Sequence, residues 1–335
     1  MELNTITLSD FVKLAAVIWL KGFTSVRNFA RESGLFNVSN LPENTGNTRE
    51  YSSVETNEYL SHKGEGAQAK RGKVQQGYSK TLTVYRFAEN FGITYEMRTQ
   101  NKYPDVLREI TSGARKGPNT IDLDLSHRFT FGTAITYTDR DGRTIDISTG
   151  DALSLFNTAH LLRASSSTYR NRLAANPQLS RGSLEGMERL VVEETLNQFG
   201  EKMSAEFNIL WTTDDPNTVN TALEHLRSVA APDAGNSGVT NVYKAKYRHV
   251  VLPRVATTAA GLVDATKRRY WGLAATMISS GYLNVHEEPH MIPPSAGTNA
   301  EDVQTDDWEF RNRAGYGIVV VDGKWVKFSS GDDTP

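Results

Sequence analysis

The chain has 335 residues with 37 basic and 39 acidic side chains, which gives a formal net charge of −2 and a pI near 6.4. This balance argues against a protein that coats nucleic acid through its overall charge. The sequence contains no cysteine, so it excludes disulfides and thiolate metal sites and fits a reducing compartment. The length is sufficient for two domains or for one elaborate domain.

An apolar segment near the N-terminus, Phe11 to Leu20, is too short to cross a bilayer. Glu2 and Asp10 precede it where a signal peptide carries positive charge, so the segment does not resemble a targeting sequence. Ser9 and Asp10 are typical N-cap residues. We expect a packed or docked helix here, followed by a polar linker from Asn37 to Ser53.

The next segment, Tyr51 to Arg98, combines strand patterns with a middle part that has almost nothing to bury. Alternation at Leu82 and Val84, and again from Phe91 to Met97, predicts strands at its far end. The middle, Ser61 to Gly77, is rich in glycine, and the basic residues in and beside it are Lys63, Lys70, Arg71, Lys73 and Lys80. A polar hairpin of this length is not stable alone. It is either a flexible surface loop or an arm that lies on a neighbouring molecule.

A helical stripe follows between Asn101 and Gly132, with apolar residues three and four positions apart. Pro118 lies inside this stripe, and a proline removes one backbone hydrogen bond, so we expect a kink or a short interruption. Three interpretations are compatible with the pattern: one long helix, two helices joined by a Gly-Pro turn, or a helix followed by a short strand from Ile121 to Leu125.

The remainder of the chain predicts a β-hairpin, an α/β unit and a β return. Asp141-Gly142 is a strong hairpin signal, and Leu161 to Ser180 is typical of a loop. Strands and helices then alternate, which predicts an α/β unit. The predicted helices are Ser183–Asn208, one that starts after the N-cap Asp215 with Pro216 at its first position, and Ala256–Ser279. The predicted strands are Ile209–Trp211, Val250–Leu252 and Leu283–Val285. After a loop from Pro293 to Thr305, Asp322-Gly323 predicts a turn that pairs Gly317–Val321 with Lys324–Phe328.

Three motifs resemble active or binding sites but lack the structural context that the chemistry needs. His286-Glu287-Glu288-Pro289-His290 has the spacing of a zinc motif, yet Pro289 interrupts the helix that must present both imidazoles. The Gly64-x-Gly66 segment lacks the flanking strand and helix of a dinucleotide site. Asp139-x-Asp141-Gly142 is explained by the hairpin rather than by calcium. We therefore expect no catalytic, cofactor-binding or metal-binding residues and no enzyme.

Taken in order, these segments resemble the major capsid proteins of tailed bacteriophages with the Hong Kong 97-like fold, and among them the Mu-type major head subunit. The resemblance rests on the polar hairpin, the long helix, the segment from Asp141-Gly142 to Leu155-Phe156-Asn157-Thr158-Ala159-His160, and the closing segment from Trp308 through Gly315-Tyr316-Gly317. It implies an α+β fold. The implied parts are an N-terminal arm at 1–50, an extended hairpin loop at 51–98, a peripheral domain with a spine helix at 99–150, an axial α/β domain at 151–305 and a β return at 306–335.

The resemblance also implies the function of a shell subunit that assembles with copies of itself, as hexamers and pentamers, around double-stranded DNA without reading its sequence. It implies portal, scaffolding or decoration proteins as further partners, no membrane, and a place in the virion capsid after assembly in the bacterial cytoplasm. In this interpretation the hairpin contacts the next subunit, through Lys63, Lys70, Arg71, Lys73, Val74 and Tyr78.

Three other functions stay open from the sequence. A cellular nanocompartment shell would have the same fold. An enzyme that binds a nucleotide through Ile209 to Val285 would need a glycine-rich turn, which this segment lacks. A DNA-binding protein that uses the basic loop fits poorly with the near-neutral total charge.

Overall fold

The computed structural model describes residues 8–40, 46–100, 103–232, 239–276, 281–294 and 307–333. Its helices are α1 (Leu8–Thr24), α2 (Tyr95–Thr99), α3 (Tyr103–Thr130), α4 (Arg181–Glu194) and α5 (Pro216–Arg227), with a 3-10 turn at Ala265–Lys267. Its strands are β1 (Asn37–Asn40), β2 (Thr48–Thr56), β3 (Val74–Thr83), β4 (Tyr85–Ile93), β5 (Thr136–Thr138), β6 (Thr144–Asp146), β7 (His160–Leu161), β8 (Thr168–Tyr169), β9 (Ile209–Thr212), β10 (Arg248–Val251), β11 (Trp271–Ala274), β12 (Gly281–Ile292) and β13 (Trp308–Val320). The predicted α+β class is confirmed.

The largest sheet has four strands in the order β1-β12-β13-β4. The long strands β12 and β13 are antiparallel, with β1 parallel to β12 on one side and β4 antiparallel to β13 on the other. β1 and the first part of β2 lie in the segment Asn37–Ser53 that the sequence predicts as a linker, so that prediction is wrong at Asn37–Asn40 and from Thr48 onward. The predicted strand Leu283–Val285 is present as part of β12, and it joins this sheet rather than the α/β unit.

The α/β unit contains a second, three-stranded sheet in the order β10-β9-β11. β10 is parallel to β9 and β11 is antiparallel to it. The predicted start of α5 is confirmed, since the Asp215 side chain accepts a hydrogen bond from the Thr218 amide and Pro216 occupies the first turn.

α3 is a continuous helix of 28 residues that contains Pro118, about 42 Å long at 1.5 Å per residue. The predicted interruption and the alternative strand at Ile121–Leu125 are therefore wrong. The helix lies close to the four-stranded sheet beside the proline, because a Cβ on Gly117 would be 2.5 Å from the Cβ of Pro289. Packing of the helix before and after Pro118 offsets the loss of the backbone hydrogen bond that the proline cannot form.

The two ends of α3 lie in two different apolar clusters. Near its start, Val106 and Ile110 pack with residues of α1, β4 and β13, among them Phe11 and Trp308. Near its end, Phe129 packs with Trp211 at a centroid distance of 5.0 Å, within the cluster that joins both sheets. α3 therefore connects the four-stranded sheet to the α/β unit.

Two predicted helices of the α/β unit differ from the structure. Residues 256–276, the described part of the predicted helix Ala256–Ser279, form a turn with Gly261 at φ +78°, then the 3-10 turn and β11. α4 ends at Glu194 rather than at Asn208. After it, the Asn197 side chain accepts hydrogen bonds from the amides of Phe199 and Glu201 and so stabilises a turn.

The predicted hairpin at Asp141-Gly142 is confirmed, because β5 pairs with β6 and Gly142 has φ +79°. The predicted hairpin at Asp322-Gly323 is wrong. A two-residue turn of the favoured type needs positive φ at its centre, and Gly323 does not have it. The segment after Gly323 instead lies along β11, and there Val326 pairs with Ala274 and Ser329 pairs with Trp271.

The long hairpin consists of β2 and β3, paired from Thr48 with Thr83 to Thr56 with Val74. It is thus shorter than the predicted segment Tyr51–Arg98. Phe91 lies in β4 and pairs with Phe310 of β13. Tyr95 and Met97 lie in α2, where the Thr94 hydroxyl accepts from the Met97 amide, so their assignment to a strand was wrong. The proposed domain boundaries stay predictions.

Candidate assembly surface

The candidate site is the hairpin β2–β3 and the loop of residues 57–73 between its strands. Asn57 closes the neck of this loop. Its side-chain Oδ1 accepts from the Lys73 backbone amide at 2.9 Å, and its backbone amide donates to the Lys73 carbonyl at 3.3 Å. Beyond this neck there is no strand pairing, and Gly64, Gly66 and Gly72 interrupt the sequence. We call residues 59–73 the tip, and β2 and β3 the base.

Every residue of the tip is exposed to solvent. The predicted contact residues Lys63, Lys70, Arg71 and Lys73 all belong to it, while Val74, next to it, is 66% exposed. Glu65 is the only acidic residue among 59–73, so the tip carries a net positive charge. The structure thus places four of the six predicted contact residues on one exposed loop, with Val74 next to them as the first residue of β3.

The sixth predicted residue, Tyr78, lies against its own chain. It is half-buried, and the guanidinium of Arg163 lies 5.8 Å from the centre of its ring. A Cβ on Gly150 would be 2.9 Å from the Tyr78 Cβ. The structure therefore places Tyr78 in the base, apart from the other five.

Sequence reasoning missed two apolar residues of the tip. Leu60 is fully exposed and Tyr59 is 64% exposed. On the outward face of the base, Val54 is also 65% exposed, near Val74. The signal that could have identified them is a pair of large apolar residues at the start of an otherwise polar and basic loop. Large exposed apolar groups beside charged ones are typical of protein interaction surfaces.

The base is held on its own chain by charged contacts. The Lys324 ammonium donates to Glu55 of β2 at 2.6 Å. The second carboxylate oxygen of Glu55 accepts from the Gln198 amide at 2.8 Å. On β3, Lys80 donates to Asp146 at 2.7 Å, and Arg163 donates to the Gly77 carbonyl at 2.9 Å. These contacts end at the neck of the loop.

Two lysines of the closing segment, Lys324 and Lys327, are fully buried and differ in their charge partners. Burial lowers the pKa of Lys324, but the carboxylates of Asp322 and Glu55 outweigh it and leave that pKa raised. Burial lowers the pKa of Lys327 to about 7, and its ammonium reaches only the backbone carbonyls of Arg170 and Glu194. Lys324 is therefore a stable charge, and Lys327 loses its charge near neutral pH.

His160 and the motif His286–His290, which have catalytic residue types, have structural partners. His160 contacts the Asp151 carboxylate at 2.8 Å through one ring nitrogen and the Leu155 carbonyl at 3.2 Å through the other, so no nucleophile faces it. His286 to His290 lie in strand β12, where Glu287 pairs with Arg313. Across the described ranges, no group of three His, Asp or Glu residues could hold a metal ion. Within the same ranges, no helix is both long and apolar enough to span a membrane.

No protein-family model matches the chain, and no curated protein matches it. Solved structures do. The capsid of cyanophage P-SCSP1u is 12% identical with a TM-score of 0.51, and the match covers 89% of this chain and 86% of that one. A structure from Mycobacterium phage Adephagia is 14% identical with a TM-score of 0.51, covering 92% of each chain. A structure from Gordonia phage Cozz is 13% identical with a TM-score of 0.50, covering 90% and 85%.

The chain has the phage capsid fold. The fold implied by the sequence resemblance is thus confirmed over about nine-tenths of the chain. The narrower resemblance to the Mu-type head subunit stays a prediction. Within the phage capsid fold of this chain, the tip of the hairpin, residues 59–73, is a segment whose residues are all exposed.

Proposed function

We propose that this chain is a major capsid protein, many copies of which assemble into the closed icosahedral shell of a tailed bacteriophage around double-stranded DNA. The observation that carries the proposal is the hairpin. Its base is fixed on its own subunit by buried and half-buried charges, while every residue of its tip is exposed. The phage capsid fold supplies the rest of the subunit.

The composition of the tip supports a second copy of the chain as its partner. A surface loop that only faces water does not need Leu60, Tyr59 and Val74 exposed beside four cations. Covering these apolar groups on a neighbour removes their surface from water, which is favourable. The cations then select acidic surface and favour one orientation of docking.

The mechanism is contact chemistry rather than catalysis. A single exposed ion pair contributes roughly 0–1 kcal/mol. Because every subunit of a closed shell both gives and receives a hairpin, weak contacts add up over the lattice. Weak individual contacts also let wrongly placed subunits dissociate. Portal, scaffolding and decoration proteins are further proposed partners, and assembly in the host cytoplasm is part of the same proposal.

Sedimentation and negative-stain electron microscopy of the purified full chain test the proposal. We expect rings or closed shells at high protein concentration. A chain that stays monomeric at all concentrations would contradict the proposal. In particles isolated from producing cells, nuclease-protected double-stranded DNA is expected, whereas an enclosed enzyme would identify a nanocompartment shell instead.

A charge-reversal pair tests the role of the tip. Lys70→Glu with Arg71→Glu inverts two neighbouring cations of the tip and is expected to abolish shells while the subunit stays folded. The matched control is Arg268→Glu with Arg269→Glu, since these adjacent arginines are also exposed but lie in the α/β unit. If both variants assemble as the wild type does, the tip is not the contact.

A further inference from the structure

The hairpin is attached to its own subunit at one buried charge, Lys324. Its side chain is completely buried. The ammonium has three donors and three acceptors within reach: Glu55 at 2.6 Å, Asp322 at 3.2 Å and the Leu196 carbonyl at 3.2 Å. Only Glu55 belongs to the hairpin, so this residue alone connects the hairpin to the buried charge.

The acceptors of Lys324 are themselves fixed by the body of the subunit. Tyr169 donates to Asp322 at 2.5 Å, and the Lys324 amide donates to the same carboxylate at 2.9 Å. Asp322 therefore cannot follow the hairpin if the hairpin turns away. A Lys324 that loses Glu55 keeps only one carboxylate at a fully buried position, which is unfavourable for a buried charge.

The turn after α4 continues the attachment along β2. Glu55 accepts from the Gln198 amide at 2.8 Å, and Glu201 accepts from the Glu58 amide at 2.8 Å. The Asn197 side chain donates to the Thr56 carbonyl at 3.4 Å. These contacts lie on the last two residues of β2, Glu55 and Thr56, and on Glu58 just beyond it, so together they fix the direction of the strand end as well as its position.

We infer that Lys324 is a positioning residue, which through Glu55 sets the direction in which the hairpin leaves the subunit before any neighbour is present. This inference rests on the proposed function, since a fixed direction matters only if the tip docks on another copy. A hairpin that already points one way loses less conformational freedom on docking than one that swings. Lys324 itself touches no partner in this scheme and acts only through Glu55.

Spin-label distances in the unassembled subunit test the inference. The chain has no cysteine, so Val74→Cys and Asn220→Cys give one label at the end of the base and one on α5. We expect a single narrow distance distribution in the otherwise wild-type chain, and a distribution at least twofold broader with Glu55→Gln. Glu50→Gln is the matched control, because Glu50 lies on the same strand and is exposed.

Amide hydrogen exchange gives a second readout that a general loss of stability would not reproduce. With Glu55→Gln, exchange of residues 54–58 and 74–76 is expected to become at least about tenfold faster, while residues 79–83 at the other end of the ladder stay as in the wild type. Lys324→Met should give the same local pattern, and adding it to Glu55→Gln should cause little further change. Narrow distances and unchanged exchange in Glu55→Gln would overturn the inference.

Two further variants keep the test decisive. If Glu55→Gln does not fold, Glu55→Asp serves instead, because its shorter side chain draws the carboxylate away from the Lys324 ammonium. It is expected to broaden the distance distribution and to speed exchange at residues 54–58, and no change in either would also overturn the inference. The tip variant Lys70→Glu with Arg71→Glu should keep the narrow distances although it does not form shells. Failure of the positioning role and failure of the capsid function therefore give different results.

Discussion

The base and the tip of the hairpin belong to one segment of about 36 residues, yet their side chains have opposite environments. In the base, Leu82 is buried in a small apolar cluster with Val84 and Val319, and Glu55 meets a buried ammonium. In the tip, apolar and charged side chains alike face water. A polar strand pair is therefore stable where the rest of its own subunit supplies hydrogen-bond and ion-pair partners. The strand pairing ends where those partners end.

The largest expected difference between the two regions is in stability. Leu82→Ala removes a fully buried side chain from the base and should lower the free energy of unfolding by about 2–5 kcal/mol. Leu60→Ala, in the tip, should leave it unchanged within about 0.5 kcal/mol. Urea unfolding of the unassembled subunit measures both. Equal effects of the two substitutions would show that the tip packs on its own chain.

The buried Lys327 of the closing segment should make the stability of the subunit rise with pH. The pKa of Lys327 is about 7 in the folded chain, against 10.5 for the free side chain. Between these values the unfolded state binds more protons, so the free energy of unfolding increases with pH from about 7 to 10.5, by at most about 1.4 kcal/mol per pH unit. Lys327→Met should flatten this rise, whereas Lys70→Met in the tip should not. Urea midpoints measured at several pH values provide the comparison.

A buried histidine gives a smaller effect at acid pH. His127 of α3 packs at a steep angle against the rings of Phe131 and Tyr137, which stack on each other. Burial, together with the charges of Arg128 and Lys267, lowers its pKa to about 4. The unfolded state takes up the proton first, so stability should fall as the pH drops from 6.5 to 4, by roughly 3 kcal/mol at most. His127→Phe should reduce this fall, and His62→Asn in the tip should leave it intact. Thermal unfolding between pH 4 and 7 measures the change.

The smallest effect concerns the tip alone and leaves the stability of the subunit unaffected. Trypsin should cut the unassembled subunit after Lys63, Lys70, Arg71 or Lys73, because these residues are exposed and unpaired with any strand. It should spare Lys80, which lies in β3 and pairs with Asp146. In assembled shells the tip sites are expected to become resistant. Mass spectrometry of brief digests identifies the cuts, and equal cleavage before and after assembly would count against docking of the tip.

The sequence predicted those features whose cause is local. The stripe of α3, the turn at Asp141-Gly142 and the cap formed by Asp215 and Pro216 all follow from spacing or from the conformational preferences of a few residues. The polarity of the tip was also evident, because a segment with nothing to bury cannot pack by itself. For the same reason, four of the six predicted contact residues are found together on the exposed loop.

The features that were missed depend on distant parts of the chain. Residues 256–276 contain many alanines, which favour a helix, but β11 forms there because β9 offers a pairing edge about 60 residues earlier in the sequence. The segment after β13 does not turn back to pair with that strand, for the same reason: β11 pairs with its residues Val326 and Ser329. Pro118 stays within α3 because Gly117 lets the helix lie against Pro289. The two buried lysines could not be distinguished from exposed ones, since their burial depends on the whole fold.

α3 also bears on how such a subunit would respond to force. A helix resists compression along its axis far better than a loop does, and both ends of α3 are embedded in apolar clusters. A force on the four-stranded sheet would therefore be transmitted to the α/β unit along the rigid helix α3. Deformation would concentrate in the connections around that helix, and the distance between the two clusters would stay nearly constant.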